Sequence, residues 1–140
     1  MSRTSLHHFA ARVLAHDRIL FGDLKRLQRD ILPSRITTRE EAEILLFLDS
    51  AVHRTDRAWP SYLTATVRDF AVWGLQPAGS LDRDKVEWLS AALAHAEPTR
   101  TARNLLREIV HEARRIDDDA RLELANAARA AEAHARLGAE

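Results

Sequence analysis

Residues 36–52 read ITTREEAEILLFLDSAV, and this stretch decides the fold. Leu45 and Leu46 lie three and four positions after Ala42, and Ala51 and Val52 three and four after Leu48, the rhythm of one helical face. Thr37 with Glu40, and Thr38 with Glu41, each fit a capping box, in which hydroxyl and carboxylate satisfy backbone N–H groups left unpaired in a first turn. From Ile44 to Leu48 every residue is large and apolar, leaving no polar face in mid-helix. The spacing predicts a helix that is buried on most sides and stands at the centre of the fold.

The same periodicity continues outward from it. Upstream, Leu6, Phe9, Ala10, Val13 and Leu14 predict a first helix, and Leu20, Leu24, Leu27 and Ile31 a second, interrupted at Pro33 and Ser34. Downstream, a polar loop from His53 to Arg57 precedes Pro60, which suits a first helical turn. That fourth helix presents Trp59, Leu63, Val67, Phe70, Ala71, Val72 and Trp73 before Gly74, Pro77 and Gly79 end it. Asp82 caps a fifth helix with Val86, Leu89, Ala92, Leu93 and Ala96 inward. Pro98 or Thr99 opens a sixth, with Leu105, Leu106, Ile109, Val110 and Ala113 inside. Asp117, Asp118 and Asp119 suit the positive end of a last helix. Its face carries Leu122, Leu124, Ala127, Ala128, Ala131 and Ala135 before Gly138.

No segment alternates apolar and polar residues long enough for a convincing strand. The expected fold is therefore all-α: a single compact domain over residues 1–140, of about seven helices, with two helix-loop-helix halves around a buried central helix. Its core is expected over about residues 20–115, with 1–18 and 117–138 as flanking helices. An internal likeness supports two halves. The run from Ile36 to Leu45 resembles that from Leu81 to Leu89, each an aliphatic residue, an N-cap, then a helix with a small apolar residue, Glu, a large apolar residue and Leu.

Composition narrows the function. With 140 residues, 46% apolar and 30% charged, the chain is an ordinary globular sequence. Twenty-one basic side chains balance 21 acidic ones, so a dedicated nucleic-acid binder is not expected. Cysteine is absent, which removes disulfides, thiolate zinc sites and cysteine nucleophiles. No run reaches the length of a membrane span, so membrane insertion is not expected. The opening MSRTSLHHFAARVLAHDR has no uninterrupted apolar core. A secretory leader is thus not expected, and the expected compartment is the cytoplasm.

Chemistry-bearing patterns are sparse. With Ile36 at position eight of a calcium loop only Glu40, at position twelve, is a suitable ligand, and with Leu81 there the ligand positions hold Gly74, Gln76, Ala78 and Lys85. Glu108-x-x-His111 supplies one of the two pairs that a di-iron bundle needs, and no second pair exists. His7, His8 and His16 face different ways on a helix, and Asp49 with His53 reads as an i, i+4 polar pair. No serine sits in a Gly-x-Ser-x-Gly elbow. No cofactor and no catalytic residue is expected, so the chain does not read as an enzyme. Binding is better served. Partly exposed Trp73 and Trp88 are residue types that anchor interfaces. The alanine-faced last helix, with Leu124, Ala128 and Ala131, and the basic first two helices, with Arg12 and Arg26, are candidate partner-binding surfaces.

The stretches Arg35–Asp49, Arg57–Leu63, Asp69–Val72 and Gly79–Leu89 resemble a group of small bacterial all-helical proteins. In these a Glu-Ala-Glu helix precedes a tryptophan-led helix and a Trp-Leu helix, here at Glu41-Ala-Glu43, Trp59 and Trp88-Leu89. More distantly the chain resembles the TerB-like helical domains of tellurite resistance and of DnaJ-type membrane-anchored co-chaperones. The resemblance implies a helical interaction domain with no established enzymatic activity. The TerB likeness implies a metal-binding stress-response protein, with Glu41 and Glu43 as the matching acidic positions and Glu108 and His111 as further candidate ligands. Ahead of this helix, where that family carries acidic residues, the chain has Leu32-Pro33-Ser34-Arg35. The expected function is a non-catalytic interaction or accessory protein, a small subunit of a larger assembly or a homodimer.

Overall fold

The capping box read at Thr38 is formed. In the computed structural model, which describes residues 2–94, 99–126 and 129, the Thr38 hydroxyl accepts from the Glu41 N–H at 3.2 Å. The Glu41 carboxylate returns to the N–H groups of Thr37 and Thr38 at 2.8 and 3.1 Å, and to the Thr37 hydroxyl at 3.0 Å. The helix they start is one of a series. In chain order come α1 (Ser2–His16), β1 (Arg18–Ile19), α2 (Phe21–Arg26) ending in a π turn (Leu27–Ile31), α3 (Arg39–Ala51) and β2 (Arg54–Thr55). Then follow α4 (Trp59–Asp69) ending in a π turn (Phe70–Gly74), β3 (Ser80–Leu81), α5 (Arg83–Ala94), α6 (Arg100–Glu112), β4 (Arg115–Ile116) and α7 (residues 118–126). The fold is all-α, and its strands are two residues long. None of the described helices is long and apolar enough to cross a membrane.

Two compact units make up the chain, with the division inside α4 between Val67 and Arg68. In the first, α1 packs on α3. Leu6, Phe9 and Val13 of α1, at i, i+3, i+7 spacing, are buried, as are Ala42, Leu45 and Leu48 of α3. Trp59 is fully buried, and its indole N–H donates to Asp49 at 3.1 Å. Burying so large a ring with its one polar atom satisfied makes Trp59 an anchor of this core. The five-residue apolar run does not bury α3 all round: Phe47 is 50% exposed. Asp49 serves Trp59, so the expected pair with His53 does not form; His53 turns instead to Asp17.

In the second unit, Val86 and Leu89 of α5, Leu105 and Ile109 of α6, and Ala120 of α7 are fully buried. Phe70 meets Trp88 edge to face, ring centres 5.9 Å apart. Leu106 and Ala113, expected inside, are half-buried, and Val110 is 37% exposed. Lys85 is the unexpected core residue. Its side chain is fully buried, and its Nζ donates to the carbonyls of Pro77 and Ser80 at 2.8 Å and of Val72 at 3.3 Å. An ammonium has three N–H donors, so it satisfies three backbone acceptors at once and ties the 75–80 loop to the helix start.

The two units repeat one pattern, in a register other than that read from the sequence. Thr38 and Thr99, 61 positions apart, both cap 13-residue helices by accepting from the N–H three residues on. Each helix is followed by a short strand, β2 or β4, that pairs in parallel with the strand before the preceding helix, β1 or β3. A residue of left-handed backbone precedes the first strand of each pair, Asp17 at φ 52° and Gly79 at φ 81°. An aspartate N–H closes each bridge: Asp56 donates to the Ile19 carbonyl at 2.8 Å, and Asp117 to the Leu81 carbonyl at 3.0 Å. Ile36 therefore does not correspond to Leu81. Ile36 lies in the loop before α3, whereas Leu81 is a paired strand residue whose counterpart is Ile19.

Candidate interaction face

The β1–β2 bridge sets out the candidate surface of the first unit. Asp17 turns the chain out of α1, and its carboxylate Oδ1 accepts the His53 N–H at 2.9 Å. The His53 ring Nδ1 lies 3.0 Å from both carboxylate oxygens. That backbone hydrogen bond, followed by the one from the ring, holds the Asp17 carboxyl below its ordinary 3.8. With 17 and 53 clipped together, the parallel register places Arg18 opposite Arg54 and Ile19 opposite Thr55. Ile19 is fully buried, and strand side chains alternate, so Arg18 stands on the solvent side.

Two like charges opposite one another weaken a strand pair. Among the described residues neither Arg18 nor Arg54 makes an ion pair that would offset this. Both line a shallow cavity of about 290 Å³ with Ile19, Leu20, Thr55 and Asp56. Asp56 is already engaged, its Oδ2 accepting the Ala58 N–H at 2.9 Å. Next to the cavity Leu20 is 51% exposed and Phe21 55% exposed, with the Lys25 ammonium 5.2 Å from the Phe21 ring centre. Adjacent unpaired cations and adjacent exposed large apolar residues make this an unfinished surface.

The equivalent bridge of the second unit is finished. Ser80 stands in the place of Arg18 and faces Arg115, whose Nε is 3.5 Å from Asp117. Trp73, the nearest aromatic to Gly79, donates its indole N–H to Glu112 at 3.0 Å and carries the Arg114 guanidinium 5.3 Å from its ring centre. Its charges are paired locally.

The residues nominated from the sequence are scattered by the fold. Arg12 is exposed, 3.8 Å from Asp23, and Arg26 is half-buried on the α2 side. Trp73 is 39% exposed but engaged as described; Trp88 is half-buried against Phe70. Leu124 is half-buried, and Ala128 and Ala131 lie outside the described residues. Of the candidate metal ligands, Glu41 belongs to the capping box, Glu43 is exposed on α3, Glu108 lies 3.6 Å from Arg68, and His111 is exposed. Among the described residues no three His, Asp or Glu side chains gather as a metal site would need. Two other groups are perturbed: the Tyr62 phenol is pushed above the ordinary 10.0 by burial, and the Arg83 guanidinium is raised by its hydrogen bond to Glu87.

Arg18 and Arg54 were not singled out by sequence reasoning, since residues 36 positions apart meet only through the bridge register. A signal did exist: His53-Arg-Thr-Asp56 and Arg114-Arg-Ile-Asp117 recur 61 positions apart, each just after a threonine-capped helix. No protein-family model, curated protein or solved structure matches the chain.

Proposed function

We propose that the chain is a non-catalytic interaction protein, a cytoplasmic accessory subunit that binds another protein through the β1–β2 face of its first unit. The observation that carries this reading is half-exposed Leu20 and Phe21 beside Arg18 and Arg54, which make no ion pair among the described residues. Covering the exposed half of each apolar side chain contributes about 1 kcal/mol at ~25 cal/mol per Å². That alone does not offset the several kcal/mol cost of association, so the charged pair must contribute as well. The alternative, a TerB-like metal-binding stress protein, draws on Glu41, Glu43, Glu108 and His111, which the fold places at a helix cap and on exposed helix surfaces.

The test is co-purification from the native host, comparing the unaltered chain with a Leu20→Ser, Phe21→Ser double variant. A stoichiometric protein partner captured by the first and lost at least about tenfold by the second is expected, with circular dichroism unchanged. Equal capture by both chains contradicts the assignment of this face.

A further inference from the structure

The charge of the cavity identifies what it takes. Arg18 and Arg54 contribute two positive charges to the lining and Asp56 one negative, leaving one positive charge uncompensated. A monoanion balances that; a phosphate dianion leaves an excess negative charge beside Asp56. At about 290 Å³ the cavity lies at the lower edge of small-molecule sites, roughly 300–1,000 Å³, and suits one side chain rather than a nucleotide or coenzyme. Neighbouring strands lie about 4.8 Å apart, so the two arginine stems start close enough for one guanidinium to address each oxygen of a carboxylate. Leu20 shares the cavity wall and Phe21 follows it, so the group entering between the arginines brings an apolar neighbour over these two side chains.

We propose that Arg18 and Arg54 form a two-pronged binding site for a carboxylate side chain of the partner protein, a Glu or Asp next to an apolar residue that covers Leu20 and Phe21. This rests on the interaction reading above and names the chemistry of its partner. The carboxylate removes the repulsion that the bridge register builds in, so binding completes the strand pair electrostatically as well as capping the cavity. The second unit shows the same requirement met internally, with Asp117 beside Arg115.

The test titrates the isotopically labelled full chain with acetyl-Glu-Phe-amide, its acetyl-Gln-Phe-amide counterpart and inorganic phosphate, following the amide resonances of residues 18–21 and 54–56. The glutamyl probe is expected to bind with a Kd of about 1 mM, what a charge-assisted pair and one apolar contact supply. The glutaminyl probe is expected to bind at least about tenfold more weakly. Arg18→Gln and Arg54→Gln are each expected to weaken the glutamyl probe about tenfold, and Arg115→Gln to leave it unchanged. Equal binding of both probes, tighter binding of phosphate, or no loss in the Arg18 and Arg54 variants overturns the carboxylate assignment. Partner capture is measured separately. If capture depends on Leu20 and Phe21 while the arginine variants change nothing, this proposal fails and the interaction reading stands; if the probe binds as stated while capture ignores Leu20 and Phe21, that reading fails instead.

Discussion

The two bridges of the chain are built alike and equipped differently. At β1–β2 a left-handed aspartate leads into an arginine facing an arginine, with a cavity and two exposed apolar residues beside them. At β3–β4 a left-handed glycine leads into a serine facing an arginine, that arginine sits beside an aspartate, and a buried lysine ties down the preceding loop. Backbone geometry is therefore not what distinguishes the two bridges. The difference is whether each charge finds its counterpart within the same bridge. A scaffold that repeats lets the second copy show what the first has left open.

The comparison breaks most visibly at Lys85. Lys85→Met removes a donor from three carbonyls; those of Val72 and Pro77 keep the N–H groups of Gly79 and Ser80, so the expected cost is about 1–3 kcal/mol in all. Hydrogen exchange is expected to show the largest loss of protection in β3 and α5, with little change in α1 and α3. Uniform loss across α1, α3 and α5 would mean that Lys85 does not act on its own loop.

The two left-handed positions give the next contrast. An added Cβ at Gly79 meets the Trp73 ring at 3.0 Å, and the φ of 81° already disfavours any L side chain. Gly79→Ala is expected to cost about 1–3 kcal/mol in thermal or urea unfolding. Asp17→Asn, which tolerates the same conformation and keeps an acceptor for His53, is expected to cost under about 1 kcal/mol. Equal costs would show that the left-handed backbone and the Trp73 contact at Gly79 carry no such penalty.

The caps give a finer contrast. Thr99→Ala removes the acceptor of the Ala102 N–H, at about 1 kcal/mol. Thr38→Ala is expected to cost somewhat more, because Glu41 also holds Thr37 and Thr38 from the other side of the box. Unfolding midpoints of the two variants, measured side by side, decide this. Smallest of all is the pH effect at Asp17. Its carboxyl titrates below 3.8 when folded, so the folded state binds fewer protons than the unfolded one in that window. The resulting stabilisation is present above about pH 3.8 and is lost as pH falls through the folded value; His53→Ala, which keeps the backbone N–H and removes only the ring, is expected to flatten this part of the stability–pH curve in part.

Much of the architecture could be read without coordinates because helix grammar is local. Thr38 with Glu41, Thr99, Asp82 and the buried faces of α1 and α6 all follow from residues within two turns of one another. Lys85 shows where that grammar stops. A lysine at the third position of a helix reads as solvent-facing, and only the returning 75–80 loop supplies the carbonyls that bury it. The strands were illegible for a simpler reason: two residues cannot show an alternation. Lacking the bridges, sequence comparison aligned Ile36 with Leu81 on helix-start pattern alone, and the pairing of Arg18 with Arg54 stayed hidden. The nominated surfaces, from Arg12 to Trp88, were chosen by residue type; the candidate face is instead set by which charges the register leaves unanswered.

One spectrum tests the central contrast directly. The side-chain Nε–Hε resonances of Arg18, Arg54 and Arg115 can be followed together while the full chain is titrated with acetyl-Glu-Phe-amide. The account predicts that Arg18 and Arg54 shift in concert along one binding curve while Arg115, held beside Asp117, stays in place. If all three move alike, or Arg115 moves first, the two bridges do not differ in the way described.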